Sequence, residues 1–411
     1  MGGFALGIRS LLQIQIPEGI KEFIFKYRFK DFLKENQKHH SGDVISRVQQ
    51  AISSDEELSR KFEEFIVNEI SNGKNRQVFL CDFSIESLGI LGNTNFVRNC
   101  LEGKGYPRED FSNFLSKGEF ERGEMVYLNI EEQQEGIPSK ISMAFMNYVD
   151  QDIRNDAGVN SLNKIYTYTW IDIFPVQQYL VIKNRPYADQ YMHDLHQSNK
   201  VFDHYRDLLQ QMFKISFLNM SDSKNVLYNI FKHLTEKAEA TYHAVIKEAD
   251  TEIVNKTTEL ASLVGLSNIK EPVDLANRIS RLLERVLILN DISNYMSYNP
   301  DKLGVVDRID FSDQSGAKVN ALSQEEGIEI ADIYFDTRET LDEVQRLNKL
   351  WVRWFYKLPD REDDYVDQVE TRLEVQSDRI IIQFLGVQTA PKEVQDHVLS
   401  LFKQFKEGEI S

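Results

Sequence analysis

Three histidines in the middle of the chain are candidates for binding a metal ion. His193, His196 and His204 fall within one predicted helix, and imidazole is a common ligand of zinc and other transition metals. On a helix, however, His193 and His204 share a face with Lys200, which is typical of a solvated polar surface. The spacing also lacks the Glu-x-x-His pairs of di-metal bundles. A solvated face is therefore favoured over a metal site.

A second set of residues has the chemistry of a magnesium-dependent nuclease. Such enzymes hold Mg²⁺ with an Asp that is followed, roughly ten to twenty residues later, by Glu-x-Lys. Asp82, Glu102 and Lys104 match that spacing. Glu102 and Lys104 flank a glycine in a turn-like segment and not on a strand, which weakens the match. A nuclease, or another hydrolase with its site in the N-terminal domain, is the alternative function, and Mg²⁺ is expected only in that case.

The familiar motifs of enzymes are missing from the sequence. It has no complete dinucleotide fingerprint, P-loop, Gly-x-Ser-x-Gly elbow, His-Glu-x-x-His motif or kinase motif set. Conventional nucleotide or hydrolase machinery is therefore disfavoured, although a triad assembled from distant residues stays open. We expect a protein without a cofactor, and we favour a non-enzymatic role.

A basic and aromatic segment near the N-terminus is the main indication of nucleic-acid binding. Aromatic and cationic residues alternate over residues 23–30, which predicts a strand with a buried aromatic face and a basic outer face. Cations on such a face can contact phosphates without reading the base sequence. The predicted contacts are Lys26, Arg28, Lys30 and Lys34.

Composition and charge set the broad class of the protein. The chain has 411 residues, a hydrophobic fraction of 41% and a net charge of −17. These values are typical of a folded, non-membrane protein of two to three domains, and they exclude a uniformly basic nucleic-acid binder. The charge is uneven, because residues 1–40 carry 4 acidic and 7 basic side chains, whereas residues 301–411 carry 24 and 14.

The two cysteines, Cys81 and Cys100, are too few for a disulfide scaffold and are not spaced as zinc ligands. Such cysteine usage favours a reducing compartment. The N-terminal segment has neither a signal-peptide core nor a membrane span. We therefore predict a cytoplasmic protein with no membrane contact.

The pattern of strands and helices predicts an α+β protein with three domains. Residues 1–185 are expected to form a mainly antiparallel sheet domain, and residues 186–299 a coiled-coil-like bundle of long helices. Residues 300–411 are expected to form an acidic α+β domain. The helical stripes include Leu234, Val245 and Leu282, and they leave room for a partner on their exposed side.

These observations predict an interaction subunit that assembles through its long helices, as a homo-oligomer or with another protein. The basic N-terminal segment adds sequence-independent contact with nucleic acid. Chains without housekeeping motifs often belong to bacterial or phage-related systems such as host defence, which gives the expected context.

Overall fold

We describe the fold from a computed structural model. The described residues are 15–38, 42–115, 121–154, 160–186, 197–266, 275–291, 293–294, 303–313, 316–322, 338, 340–357 and 366–410. Within them, contacts group the chain into two compact units. The first comprises residues 1–219 and 387–395, and the second comprises residues 220–386 and 396–411.

The first unit contains six antiparallel strands. They are β1 (Gln77–Asp82), β2 (Phe111–Ser112), β3 (Glu124–Gln134), β4 (Ile137–Arg154), β5 (Asn160–Phe174) and β6 (Tyr179–Asn184). Their order is β2-β3-β4-β5-β6-β1. The chain therefore runs from β2 to β6 by neighbouring connections, and β1 pairs with β6 although it comes first in sequence. This pairing brings the start of β1 to the end of β6.

Helices cover both faces of these strands. They are α1 (Glu18–Phe23), α2 (Lys26–Glu35), α3 (Val44–Ser54), α4 (Glu56–Asn68), α5 (Leu88–Leu91), α6 (Thr94–Gly103) and α7 (Ser198–Phe213). The first four pack with one face of β3–β5 in a single apolar core that includes Ala144 and Trp170. Helix α7 packs on the opposite face, where Tyr205 lies 4.9 Å from the ring of Phe145. Successive side chains of β4 thus point alternately towards the two layers of helices.

A π-helical turn, Glu69–Gly73, follows α4 and leads into β1. Such turns are rare and often occur at functional sites. All five of its residues are buried. The side-chain amide of Gln395 donates to the backbone oxygens of Asn72 at 2.9 Å and Asn75 at 3.2 Å. These hydrogen bonds satisfy carbonyl groups that the irregular turn leaves without helical partners.

The second unit contains five antiparallel strands in the order β11-β10-β9-β7-β8. They are β7 (Gly304–Ser312), β8 (Lys318–Leu322), β9 (Lys349–Tyr356), β10 (Asp367–Val375) and β11 (Ile380–Phe384). The fully buried Trp354 on β9 donates its indole N–H to Thr371 of β10 at 2.8 Å. The apolar runs over residues 304–322 and 369–385 of the sequence predict two β-hairpins, and the antiparallel pairs β7–β8 and β10–β11 confirm them.

Three long helices belong to the same unit: α8 (Lys224–Glu248), α9 (Asp250–Leu263) and α10 (Leu275–Asn290). Helix α8 packs against β7 and β9, and α10 packs against both α8 and α9. The last helix, α11 (Lys392–Glu407), begins in the first unit and continues in the second. Among the described residues, no helix combines the length and the apolar character needed to cross a membrane.

The predicted fold class is wrong. The chain is mixed, with 50% helix and 27% strand, and the layout of an N-terminal sheet domain followed by a coiled-coil middle does not appear. Helices precede and cover the N-terminal strands, and α8 packs on strands of its own unit. The predicted division at residues 185/186 and 299/300 stays a prediction, because compactness alone does not define which segments fold independently.

The strand predicted over residues 23–30 is also wrong, because α1 and α2 occupy this segment. The apolar residues Phe25, Phe29 and Leu33 fit a helical spacing of four residues as well as an alternating one, and Phe32 fits the helical spacing alone. Tyr27 decides between them, since a strand would bury it with Phe29, whereas the structure leaves it 45% exposed and Phe29 fully buried.

Candidate functional site

Helix α10 turns its leucine stripe towards solvent. The stripe consists of side chains that are 36–55% exposed, at helical spacings of three, four and seven residues: Leu275, Leu282, Val286 and Leu289. Leu283 extends it at 41% exposure. On the opposite side of the helix, Glu284 is 6% exposed and Ile288 is fully buried. The usual amphipathic arrangement, with apolar residues inside and charges outside, is therefore inverted at Glu284.

Helix α9 carries an apolar stripe that is covered only in its first half. Ile253 and Thr257 are buried, at 8% and 5% exposure. Leu260 and Val264 continue the same stripe by three and four residues, yet they are 55% and 70% exposed. The neighbouring Leu263 is 82% exposed. The end of α9 thus presents an apolar face that none of the described residues covers.

These two faces make up most of the exposed apolar surface of the described chain. Of the seventeen large hydrophobic side chains that are exposed among the described residues, eleven lie between Val245 and Leu289. Scattered exposed hydrophobic residues are normal on a soluble protein, but a contiguous apolar surface marks an interaction site. We call the exposed apolar residues of α9 and α10, from Val254 to Leu289, the helical surface.

Beneath the helical surface, a buried charge network fixes the helices. Glu239 of α8 is 3% exposed and forms an ion pair with Arg338. Glu284 of α10 lies 3.8 Å from His243 of α8, measured from Oε1 to Nδ1. Burial raises the pKa of Glu284, and the nearby Glu239 raises it further, while Arg338 opposes the rise. The network therefore joins α8 and α10 through Arg338 and the two carboxyl groups, with His243 and Arg281 nearby.

Two tyrosines extend this network by donating hydrogen bonds to carboxylates. Tyr228 donates to Asp342 at 3.0 Å, and Tyr242 donates to Asp291 at 2.9 Å. Burial and the adjacent Asp291 raise the pKa of Tyr242 to about 12, so its hydroxyl stays protonated and acts as a donor at neutral pH. Glu239 and Glu284 are both enclosed, at 3% and 6% exposure, so positioning the helices is the role that their surroundings support.

The residues predicted for the nuclease alternative lie on separate elements. Asp82 ends β1, and Glu102 lies on the last turn of α6, where its carboxylate is 3.4 Å from Arg108. Lys104 follows α6 and is exposed. Within the described ranges, no three His, Cys, Asp or Glu side chains come together as a metal site.

The predicted metal-binding histidines can be followed only in part. His204 lies exposed on α7, with its ring 5.0 Å from that of Tyr205. His193 and His196 lie outside the described residues. The metal hypothesis therefore gains no support from the part of the chain that the structure describes.

The predicted nucleic-acid contacts divide into two groups on α2. Lys26, Lys30 and Lys34 are exposed and four residues apart, so they form one stripe along the helix. Arg28 points elsewhere and forms an ion pair with the buried Glu69 at 2.6 Å. The three lysines share one face in either structure, because residues four apart align on a helix and also lie on the same side of a strand.

Two apolar residues that the sequence places on the stripe of α8, Leu234 and Val245, have different surroundings in the structure. Val245 is 53% exposed, close to the helical surface, whereas Leu234 is 2% exposed. A charge at Leu234 would therefore disrupt the fold and would not report on assembly.

No protein-family model matches this chain, and no curated protein matches it in sequence.

Proposed function

We propose that this chain is an assembly subunit that pairs with a second copy of itself through the helical surface. The supporting observation is the outward leucine stripe of α10, with Leu282 55% exposed and Glu284 buried on the opposite side. Covering such a surface removes apolar area from water, which is the main driving force of protein association. A standard interface uses about 20–30 residues on each side, so the exposed residues of α9 and α10 can supply its apolar centre.

The charges beside the apolar stripes favour a second copy over an unrelated partner. Helix α9 carries Asp250, Glu252 and Glu259 with the single cation Lys256, which pairs with Glu259 at 2.9 Å. Helix α10 carries Arg278 and Arg285 beside the buried Glu284, and its Arg281 lies 3.9 Å from Asp342 of the same chain. In a two-fold symmetric pair, each contact is repeated with the copies exchanged. Placing α9 of one copy against α10 of the other then sets acidic groups beside basic ones twice, which favours that register.

The proposed setting is the cytoplasm. The chain has only two cysteines, with Cys81 buried in β1 and Cys100 half-buried on α6, and so few cysteines are typical of reducing compartments.

Light scattering coupled to gel filtration tests the assembly directly. We expect Leu282→Glu to abolish the dimer while leaving the circular dichroism spectrum unchanged, because this side chain is more than half exposed. Val176→Glu is the matched control, since Val176 is 47% exposed in the first unit and should leave the dimer intact. If both variants keep the mass of the wild type, the helical surface is not the interface.

A second candidate function is sequence-independent contact with nucleic acid, which the stripe Lys26, Lys30 and Lys34 favours. Each phosphate contact by a lysine releases a counterion, so that binding weakens as salt rises. We expect the triple Lys→Gln variant to weaken binding to duplex DNA and to reduce the salt slope by roughly 0.9 for each lysine in contact. An unchanged slope would remove these residues from nucleic-acid binding. Adding Mg²⁺ to the same assay tests the nuclease alternative, in which Asp82→Ala should abolish cleavage.

A further inference from the structure

Four cations gather where β1 begins and β6 ends. Gln77, the first residue of β1, pairs with Asn184, the last residue of β6, so Arg76 and Arg185 both adjoin this end of the strand pair. Lys183 shares a face of the sheet with Arg185, because the two are separated by two residues. Lys74 belongs to the same group, because a tight turn connects it to Arg76. In this turn the backbone N–H of Arg76 donates to the carbonyl of Lys74 at 3.0 Å. A concentration of positive charge like this contrasts with the acidic chain around it.

Lys183 has a structural partner in the π-helical turn. Its ammonium group donates to the side-chain oxygen of Asn72 at 2.7 Å, and both residues are buried. Asn72 in turn donates to the side chain of Asn68 at 3.0 Å. Lys183 therefore holds the turn against the sheet, which fixes the backbone that carries the remaining three cations.

Lys74 is held in place by a backbone carbonyl and an aromatic ring, and the carboxylate of Glu22 lies near enough to favour its charged form. Only 7% of the residue is exposed, its Nζ donates to the carbonyl of Glu22 at 2.9 Å, and it lies 4.0 Å from the ring centre of Phe25. Burial, and then the charge of Arg185, lower the pKa of Lys74 to about 8. The same two causes lower the pKa of Arg76. Arg185 therefore lies close enough to both residues for their positive charges to repel.

We propose that Lys74, Arg76 and Arg185 form a binding site for the dianion of a phosphate monoester. A guanidinium group presents a planar fork of N–H donors that matches two phosphate oxygens, and an ammonium group adds a compact charge. The two arginines and one lysine where β1 begins and β6 ends supply this combination. A bound dianion would offset the mutual repulsion of the three cations, and a singly charged phosphodiester would offset it less.

The C-terminal segment of the first unit favours a terminal phosphate over a continuous polymer. Arg76 donates to the carbonyl of Val387, and the N–H of Ala390 donates to the carbonyl of Gly73 at 3.0 Å. The hydroxyl groups of Thr389 and Tyr27 are 3.0 Å apart. This segment therefore runs alongside the three cations, where it limits the room for a long chain.

Titration calorimetry with inorganic phosphate at about pH 8, where phosphate is a dianion, tests the site on the full chain. We expect Arg76→Gln and Arg185→Gln to weaken binding by about tenfold or more. The matched control is Arg60→Gln, because Arg60 is an exposed arginine of α4 in the same unit and the charge change is identical. Dimethyl phosphate, a singly charged diester, should bind at least about tenfold more weakly than phosphate.

Arg185→Lys separates a lost site from a lost fold, because it keeps the charge and removes the guanidinium fork. Intermediate affinity is expected for this variant, together with an unchanged melting temperature. A sugar phosphate and a nucleoside 5′-monophosphate, used as further probes, distinguish the sources of the monoester. The proposal is overturned if millimolar phosphate does not bind, if Arg60→Gln weakens binding as much, or if dimethyl phosphate binds equally well.

Discussion

Leu282 and Glu284 are two residues apart on α10 and face opposite environments, with Leu282 55% exposed and Glu284 6% exposed. Burying a carboxyl group costs free energy unless a partner compensates it, and exposing a leucine forfeits the gain from its burial. An isolated chain would gain from the reverse arrangement. The observed arrangement is explained if a second copy covers Leu282 and if the network of Arg338 and Glu239 accommodates the carboxyl group of Glu284.

The charges beside the interface should act as pairs between copies. Glu259→Arg on α9 and Arg278→Glu on α10 should each weaken the dimer several-fold, because each places like charges opposite one another across the two-fold axis. Combining the two restores opposite charges, so the double variant should recover most of the wild-type affinity. Dimer dissociation constants from sedimentation at several concentrations measure this coupling. A double variant as weak as the two single effects combined would contradict the proposed pairing of α9 with α10.

Arg338 should be important for the stability of the second unit. Arg338→Met leaves the buried carboxylate of Glu239 without its ion-pair partner, which should lower the free energy of unfolding by about 3 kcal/mol or more. Urea unfolding measures the change. Lys61→Met provides the control, because Lys61 pairs with Glu57 on the surface of α4 and should cost less than about 1 kcal/mol. Equal losses in the two variants would show that the buried ion pair contributes no more to the free energy of unfolding than a surface ion pair does.

Glu284 should make stability depend on pH. Its pKa in the folded chain is raised above the ordinary value of 4.5, so the folded state holds a proton that the unfolded state releases. Stability from this group therefore falls as pH rises from 4.5 through the raised pKa. Glu284→Gln should remove that fall, so its advantage over wild type should grow across the same range. Glu236 is an exposed residue of α8 paired with Lys232, so Glu236→Gln should show the same pH dependence of stability as the wild type. The same pH dependence in Glu284→Gln and Glu236→Gln would contradict the prediction.

Lys74 should have the opposite dependence at alkaline pH. Its folded pKa of about 8 lies below the ordinary value of 10.5, so between these values the unfolded chain binds more protons than the folded chain. Stability from this group therefore increases as pH rises from about 8 to 10.5. Lys74→Met should lack this increase, measured by urea unfolding at several pH values against wild type. Saturating phosphate should shift the wild-type increase to higher pH, and an increase that persists in Lys74→Met would contradict the assignment.

Local patterns predicted much of the secondary structure but not its surroundings. The hairpins of the second unit and the helix at α10 follow from periodicity alone. The inward turn of Glu284 does not, because an apolar stripe has the same spacing whether it faces a core or another molecule. Exposed apolar faces on a helix become visible only when the elements that cover its other side are known.

The three-cation site was missed for a topological reason. Arg76 and Arg185 are distant in sequence and become neighbours through the pairing of β1 with β6, which skips the four intervening strands. The Asn and Lys residues around the π-helical turn hinted at a polar cluster here, since polar residues next to a buried strand need hydrogen-bond partners inside the protein. The lysine stripe of α2 was found despite the wrong element, because its spacing suits both kinds of structure.

The most direct measurement is the mass of the wild-type chain by sedimentation equilibrium at micromolar concentrations. Pairing through the helical surface predicts a species of twice the chain mass of 47.9 kDa, which dissociates on dilution and becomes monomeric in Leu282→Glu. A wild-type chain that stays at 47.9 kDa throughout the concentration range would contradict the account.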